Sequence, residues 1–162
     1  MNFKDYDKII VAYSGGKDST ASVLHLLESG AKPSQIELWH HSIDGRDTPG
    51  HFMDWPITED YSRAFSEAIG LPLYYSWRVG GFEREMNREN EPTAPVAFEK
   101  PDGSVEYVGG NGKRNTRKKF PQVSANLQVR WCSAYLKIDV CAAAVRNQSR
   151  FQNKKTLVVT GE

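Results

Sequence analysis

The fold of this chain follows from KIIVAYSGGKDSTASVLHLL, residues 8–27. The apolar, β-branched run Lys8–Tyr13 predicts a buried strand, because a strand covered on both faces reads as continuous hydrophobic sequence. Two adjacent glycines follow. From Thr20 onward, leucine and valine recur close to helical spacing until Gly30 and Pro33 end the pattern. The stretch therefore predicts a strand, a tight turn and a helix.

The same alternation continues downstream. Ile36–His41 predicts a second strand and Leu71–Trp77 a third. Between them, Pro56–Ile69 predicts an amphipathic helix that Thr58 caps and Gly70 ends. A βαβαβ series with short connections implies a parallel sheet covered on both faces. The predicted fold class is α/β, a Rossmann-like, doubly wound, mainly parallel sheet with helices on both faces.

Regular periodicity is lost between residues 78 and 120, where Gly, Pro, Asn and charged residues dominate. We predict a long irregular insertion over the active face there, with one hairpin around Val105–Val108. A helix over Ser133–Gln148 and a fourth strand over Thr156–Thr160 follow. The whole chain, 1–162, is thus expected to be one nucleotide-binding domain. Because doubly wound folds carry ligand groups just past strand ends, we expect this domain to be truncated at its carboxyl end.

Composition narrows the class of partner. The formal net charge is +1, so total charge does not single out nucleic acid or a membrane. Residues 1–100 hold 10 Lys/Arg against 16 Asp/Glu, and residues 101–162 hold 11 against 4, so an anionic ligand is expected to meet the second part. Two cysteines cannot form a disulfide framework, and no apolar leader or membrane-length stretch is present. A cytoplasmic setting with no membrane partner is expected.

Counting excludes two familiar phosphate loops. A Walker A motif needs a glycine six residues before its Lys-Ser/Thr pair, whereas Lys17 has Val11 at that distance and Asp18 after it. The dinucleotide pattern GxGxxG fails because Gly15 and Gly16 are adjacent. A strand, a Gly-Gly turn and a helix still aim free backbone N–H groups and the positive end of a helix dipole at one point. The corner between strand and helix therefore predicts an anion site.

The loop also carries side chains that suit a phosphate. Glycines allow close backbone approach, a lysine neutralises charge, and hydroxyls donate hydrogen bonds. Asp18 is compatible with such a site if it caps the helix or helps to hold Mg²⁺. The predicted phosphate-binding residues are Ser14, Gly15, Gly16, Lys17, Asp18, Ser19 and Thr20.

The string SGGKDS after a strand resembles the PP-loop signature of the adenine nucleotide alpha-hydrolase-like superfamily. The wider arrangement is similar to the phosphoadenosine phosphosulfate (PAPS) reductase family and its relatives, which include the small subunit of ATP sulfurylase and the PP-loop proteins of DNA phosphorothioation. The matching pieces are YSGGKDST (13–20), HHSIDG (40–45), FMDWP (52–56), RWCSAYLK (130–137) and VVTGE (158–162).

The resemblance implies roles for particular residues. The loop would grip the phosphates of ATP, with Lys17 and Asp18 catalytic and Mg²⁺ spreading the charge. The exit of the second strand would contact the adenosine through His41, Ser42 and Asp44, although Asp44 suits a turn-stabilising role equally well. Phosphate or sulfate contacts would come from Arg130, Cys132, Lys137 and Gly161.

The implied reaction cleaves ATP between the α and β phosphates, which releases pyrophosphate and adenylylates a substrate in sulfur or nucleic-acid metabolism. The complete SGGKDS and the lack of a tail cysteine favour ATP over PAPS. Two alternatives stay open: a sulfonucleotide reductase, an oxidoreductase that takes its thiol from a missing tail or from a partner such as thioredoxin, and a non-catalytic nucleotide-binding subunit. Two cysteines cannot supply four thiolates, so we expect no iron–sulfur cluster in this chain.

The run GKRNTRKKF holds five basic residues at positions 113–119. It predicts a solvated loop or a contact with nucleic acid. Trp131 and Tyr135 could stack on a base or belong to the core. The histidines match no zinc spacing and are interpreted as structural.

Overall fold

The computed structural model describes residues 2–47 and 49–161, so Glu162, the last residue of the VVTGE motif, lies outside the described residues. The strands are β1 (Lys8–Ala12), β2 (Ile36–Ser42), β3 (Leu73–Arg78), β4 (Val96–Glu99), β5 (Val105–Val108) and β6 (Thr156–Val159). The helices are α1 (Lys17–Glu28), α2 (Thr58–Ile69), α3 (Gly81–Asn87), α4 (Trp131–Ser133) and α5 (Asp139–Arg146). A π-helical turn, Ala134–Ile138, joins α4 to α5.

The strands form one six-stranded sheet in the order β5-β4-β3-β2-β1-β6. Strand β1 runs parallel to β2, with Ile9 opposite Ile36, and parallel to β6, with Ile9 opposite Leu157. Strand β4 runs antiparallel to β3 and to β5. The predicted α/β class is confirmed, and the sheet is mixed and mostly parallel.

The chain divides into two compact units. The first consists of the described parts of residues 1–40, 56–74 and 148–162 and contains β1, β6, α1, α2 and all of β2 except its last two residues, His41 and Ser42. Its core is apolar: Ile9 and Val11 of β1, with Val23 of α1 and Leu38 of β2, are fully buried. This burial is what fixes the β1–α1 corner in place, because a helix with an apolar stripe must cover it against the sheet.

Helix boundaries in this unit correct two predictions. Helix α1 begins at Lys17, three residues before the predicted Thr20, because Gly16 takes the N-cap position and an acidic Asp18 suits the first turn. Thr58 is not the cap of α2: Ile57 occupies that position and no side chain caps the helix. The predicted stop at Gly70 is confirmed, with φ +69° at the C-cap.

The second unit consists of residues 41–55 and 75–147. Its segment 78–120, predicted to be an irregular insertion with one hairpin around Val105–Val108, contains such a hairpin, formed by β4 and β5, and also the helix α3. The hairpin is confirmed, whereas the prediction of irregular structure is wrong for α3. Helical structure after it begins at Trp131 rather than Ser133 and ends at Arg146 rather than Gln148. Phe82, Trp131 and Leu136 form its buried aromatic and aliphatic cluster.

Within residues 2–47 and 49–161, no helix has both the length and the apolar character that crossing a membrane requires.

Candidate functional site

The turn between β1 and α1 is built around two glycines with different backbones. Gly15 has φ +78°, in the left-handed region that side chains rarely adopt. Gly16 is the N-cap of α1 with φ −81° and ψ 166°, a conformation open to any residue. A Cβ at position 16 would meet only the Ser14 Oγ, at 3.5 Å. The space in front of Gly16 is therefore open to a ligand.

Among the residues that the structure describes, no side chain caps the N-terminus of α1 with a hydrogen bond. The first amide to find a helical partner is that of Thr20, which donates to the Gly16 carbonyl at 3.0 Å. The earlier amides of an α-helix have no intrahelical acceptor, and their dipoles add to a partial positive charge. A twelve-residue helix that begins in this way offers backbone donors to an anion.

The predicted hydroxyls differ in their burial and in their hydrogen-bond partners. Ser19 is buried, and its Oγ donates to the Gly16 carbonyl at 2.9 Å. The Thr20 Oγ1 lies 3.4 Å from the Tyr13 hydroxyl. Burial raises the pKa of Tyr13, so this phenol stays protonated well above neutral pH. Ser14, 3.4 Å from the Ser19 Oγ, is the loop hydroxyl best placed to serve a ligand.

Lys17 and Asp18 form an ion pair at the surface. The Lys17 Nζ lies 2.6 Å from the Asp18 carboxylate, with side chains 89% and 63% exposed. Exposed pairs of this kind contribute at most about 1 kcal/mol to stability, so a phosphate can compete for the lysine. Together the two side chains add no net charge to the loop.

Gly161, predicted as a contact residue, lies against the first turn of α1. A Cβ at position 161 would stand 2.8 Å from the Ser19 amide nitrogen and 2.9 Å from the Asp18 carbonyl carbon. Glycine is required at so close an approach to backbone. The segment after β6 is therefore part of the same corner.

Helix α2 packs against the glycine turn, a contact that the sequence does not predict. A Cβ at position 15 would lie 3.4 Å from both the Ser62 Oγ and the Tyr61 ring. Ser62 is fully buried, and its hydroxyl has no hydrogen-bond partner among the described residues. Tyr61 is 46% exposed beside the glycine. Its place in the apolar stripe of α2 was visible in the sequence, whereas its contact with the loop depends on tertiary packing.

The other predicted nucleotide contacts lie in the second unit. The His41 ring faces the Ser76 hydroxyl at 2.7 Å, and the Ser42 Oγ donates to the Gly45 carbonyl at 3.2 Å. The Asp44 carboxylate accepts three backbone amides, those of residues 52, 53 and 54, at 2.9–3.0 Å. This arrangement favours the turn-stabilising role for Asp44, because its oxygens are already engaged.

The predicted phosphate contacts of RWCSAYLK are distributed around the helical segment that α4 begins. Arg130 is the N-cap of α4, and Lys137 is exposed on the π-helical turn. Cys132 is a free thiol that packs against the cluster of Phe82, Trp131 and Leu136. Trp131 is buried, so it belongs to the core rather than to a base-stacking surface.

The basic run 113–119 is partly neutralised by the protein itself. Lys118 pairs with Glu89, and Arg117 lies 3.6 Å from the buried Glu85. Arg114 donates to the Asn90 carbonyl at 3.3 Å. Fewer charges than the sequence count suggests are therefore left for nucleic acid.

Metal binding and thiol chemistry each depend on particular side chains of the described residues. No group of three or more His, Cys, Asp or Glu side chains that could hold a metal ion occurs within residues 2–47 and 49–161. Burial raises the pKa of the Cys141 thiol to about 11, which makes it unreactive near neutral pH.

Comparison with known proteins adds no relative: the chain matches no protein-family model, no curated protein and no solved structure. The candidate site is therefore defined by its own geometry, which is that of the β1–α1 corner within the first unit.

Proposed function

We propose that the β1–α1 corner binds the phosphates of an adenine nucleotide, ATP in preference to PAPS, and that the protein cleaves ATP between the α and β phosphates to adenylylate a substrate. The observation that carries the proposal is the uncapped N-terminus of α1 behind an open glycine turn. The proposal includes a Rossmann-like, doubly wound arrangement of the sheet, with helices on both faces.

Each part of the corner has a role in this proposal. The amides at the start of α1 donate to phosphate oxygens, and the bare Gly16 lets those oxygens approach the backbone. Lys17 leaves its surface pair with Asp18 and neutralises the β and γ phosphates. Binding of the leaving pyrophosphate lowers the barrier to in-line attack at the α-phosphorus, because negative charge grows on the pyrophosphate as the bond between the α and β phosphates breaks.

The side chains of the β1–α1 corner would hold Mg²⁺ only together with the phosphates of a bound nucleotide. Mg²⁺ usually keeps several waters and binds through one or two carboxylates plus substrate phosphates. Asp18, 63% exposed at the corner, is the carboxylate that would hold it, and no larger acidic group lies within the described residues. When bound, the ion would supply charge neutralisation of the phosphates.

Product analysis tests the proposed reaction. The purified chain is incubated with ATP and Mg²⁺, and separately with PAPS and a thiol reductant. With no acceptor substrate added, water takes its place in the attack on the α-phosphorus, so AMP and pyrophosphate are the expected products, and Lys17→Ala should abolish them. Release of sulfite from PAPS would instead establish the reductase alternative. Saturable ATP binding with no turnover would establish a non-catalytic nucleotide-binding subunit.

A further inference from the structure

Four arginines surround one buried carboxylate in the second unit. Glu85 of α3 is fully buried, and Arg88, Arg84 and Arg117 lie 3.1, 3.3 and 3.6 Å from its oxygens. Arg78, at the end of β3, is the fourth member, because it donates to the carbonyl of Ala94, whose amide donates to Glu85. We call these four residues around Glu85 the arginine cluster.

Positive charge exceeds negative charge inside this cluster. The side chains of Arg78, Arg88 and Arg117 are only 6%, 3% and 11% exposed. Glu85 is their one carboxylate partner of comparable burial, because Asp139, 3.9 Å from Arg78, is 56% exposed. A buried charge without a counter-ion is costly, since water no longer solvates it. These three buried arginines therefore carry two positive charges more than the one buried carboxylate, Glu85, neutralises.

Among the described residues, two guanidinium donors of the cluster have no hydrogen-bond partner, and neither does the Glu85 Oε2 beside them. Arg78 is satisfied in part: it donates to the Ala94 carbonyl at 2.6 Å and the Tyr135 carbonyl at 2.8 Å. The Nε groups of Arg88 and Arg117 are buried and have no hydrogen-bond partner in the part of the chain that the structure describes. Buried donors of this kind are rare without a ligand, ion or water to receive them.

Two aromatic rings lie close to the Arg117 guanidinium. The guanidinium lies 4.2 Å from the centre of the Trp131 ring and 4.3 Å from that of Tyr135. Stacking occupies the faces of a guanidinium, whereas its N–H donors lie in the plane and point outward. Burial lowers the pKa of Arg78 and of Arg117, with the charge of Arg88 adding to the effect, and an anion would relieve both.

We propose that the arginine cluster is a binding site for a tetrahedral oxyanion, the phosphate or sulfate group of a small molecule, held by Arg88 and Arg117. Planar guanidinium groups bind such oxygens in pairs of parallel hydrogen bonds. Arg84, whose side chain is 32% exposed, is the most exposed arginine of the cluster. It lies within the second unit and shares no residue with the β1–α1 corner, so it does not rest on the proposed nucleotide function.

Thermal unfolding in inorganic phosphate tests this proposal. Phosphate is titrated at ionic strength kept constant with potassium chloride, and sulfate is titrated in a second series. The midpoint should rise saturably, by roughly 5 °C once phosphate is far above its Kd. Arg117→Gln should abolish the rise. Arg114→Gln, an exposed residue of the same basic run, should retain it.

Two further variants keep the outcome decisive. Lys17→Ala tests whether the phosphate binds at the β1–α1 corner instead: a saturable rise should persist in this variant, whereas its complete loss would place the phosphate at that corner and overturn the proposal. If Arg117→Gln does not fold, Arg117→Lys takes its place. This variant keeps the charge and loses the paired donors, so its affinity for phosphate should be at least fivefold lower than that of wild type. A rise that does not saturate, or one of equal size in the Arg117 variants, shows a general salt effect and contradicts the site.

Discussion

Gly161 lies so close to Ser19 that a Cβ at position 161 would stand 2.8 Å from the Ser19 amide nitrogen. The two residues are 142 positions apart in the sequence, and β6, which runs parallel to β1, brings them together. The amides that the proposed nucleotide would use are therefore positioned from two sides, by the glycine turn and by the segment after β6.

Gly161→Ala should disturb this corner. The methyl group would meet backbone atoms, which cannot rotate away, so we expect a loss of about 1 kcal/mol in the free energy of unfolding. Affinity for ATP should fall as well, because the first amides of α1 move. Urea unfolding and calorimetric titration measure the two effects. Gly112→Ala, where a Cβ meets nothing within 4 Å, is the control and should change neither quantity.

The paired variants Gly15→Ala and Gly16→Ala should separate folding from binding. Alanine at position 15 must adopt φ +78°, which costs roughly 1–2 kcal/mol of stability. Alanine at position 16 keeps an allowed backbone but is a poorer N-cap residue than glycine, so stability should fall by only about 0.5 kcal/mol. Its methyl group nevertheless occupies the open space before α1 and should weaken the binding of ATP at least tenfold. An unchanged ATP affinity in Gly16→Ala would argue against a phosphate at that position.

Glu85→Gln should be strongly destabilising. It removes the buried carboxylate of the arginine cluster and leaves several guanidinium groups without a counter-ion, at a cost of about 3 kcal/mol. Chemical denaturation measures the loss. Glu89→Gln removes a carboxylate that is 64% exposed and pairs with Lys118, so it should cost less than about 0.5 kcal/mol. Equal effects in the two variants would show that burial of Glu85 has no energetic consequence.

Cys141 should make stability depend on pH at the alkaline end. Its pKa is raised from 9.0 to about 11 by burial, so between these values the unfolded thiol loses its proton while the folded one keeps it. The unfolded state is then favoured, and stability should fall by roughly 2 kcal/mol as the pH rises from 9 to 11. Cys141→Ala should remove this part of the decline, as measured by urea unfolding at each pH. A decline of the same size in the variant would contradict the assignment.

Local sequence patterns were sufficient for the corner itself. Lys8–Ala12 is a strand because its β-branched side chains are buried. The turn lies at Gly15 and Gly16 because the positive φ of Gly15 requires glycine. Both properties depend on near neighbours in the sequence, which is why periodicity and residue type could predict them.

Tertiary pairing accounts for what the sequence did not predict. Helix α3 was missed because its buried positions include Glu85, which reads as a surface residue until its distant partner Arg117 is seen. The basic run was overcounted as free charge for the same reason. Tyr61 falls on the apolar face of α2 and no pattern singles out Ser62, and nothing within that helix indicates that the two residues border Gly15.

The most direct test of the β1–α1 corner is calorimetric titration of wild type and Lys17→Ala with ATP and with AMP. Lys17 is 89% exposed, so its removal should leave the unfolding temperature within about 1 °C of wild type. ATP affinity should fall roughly 10- to 100-fold, the equivalent of one charge-assisted hydrogen bond to phosphate, while AMP affinity changes little. An ATP affinity that is the same in both proteins would contradict the account.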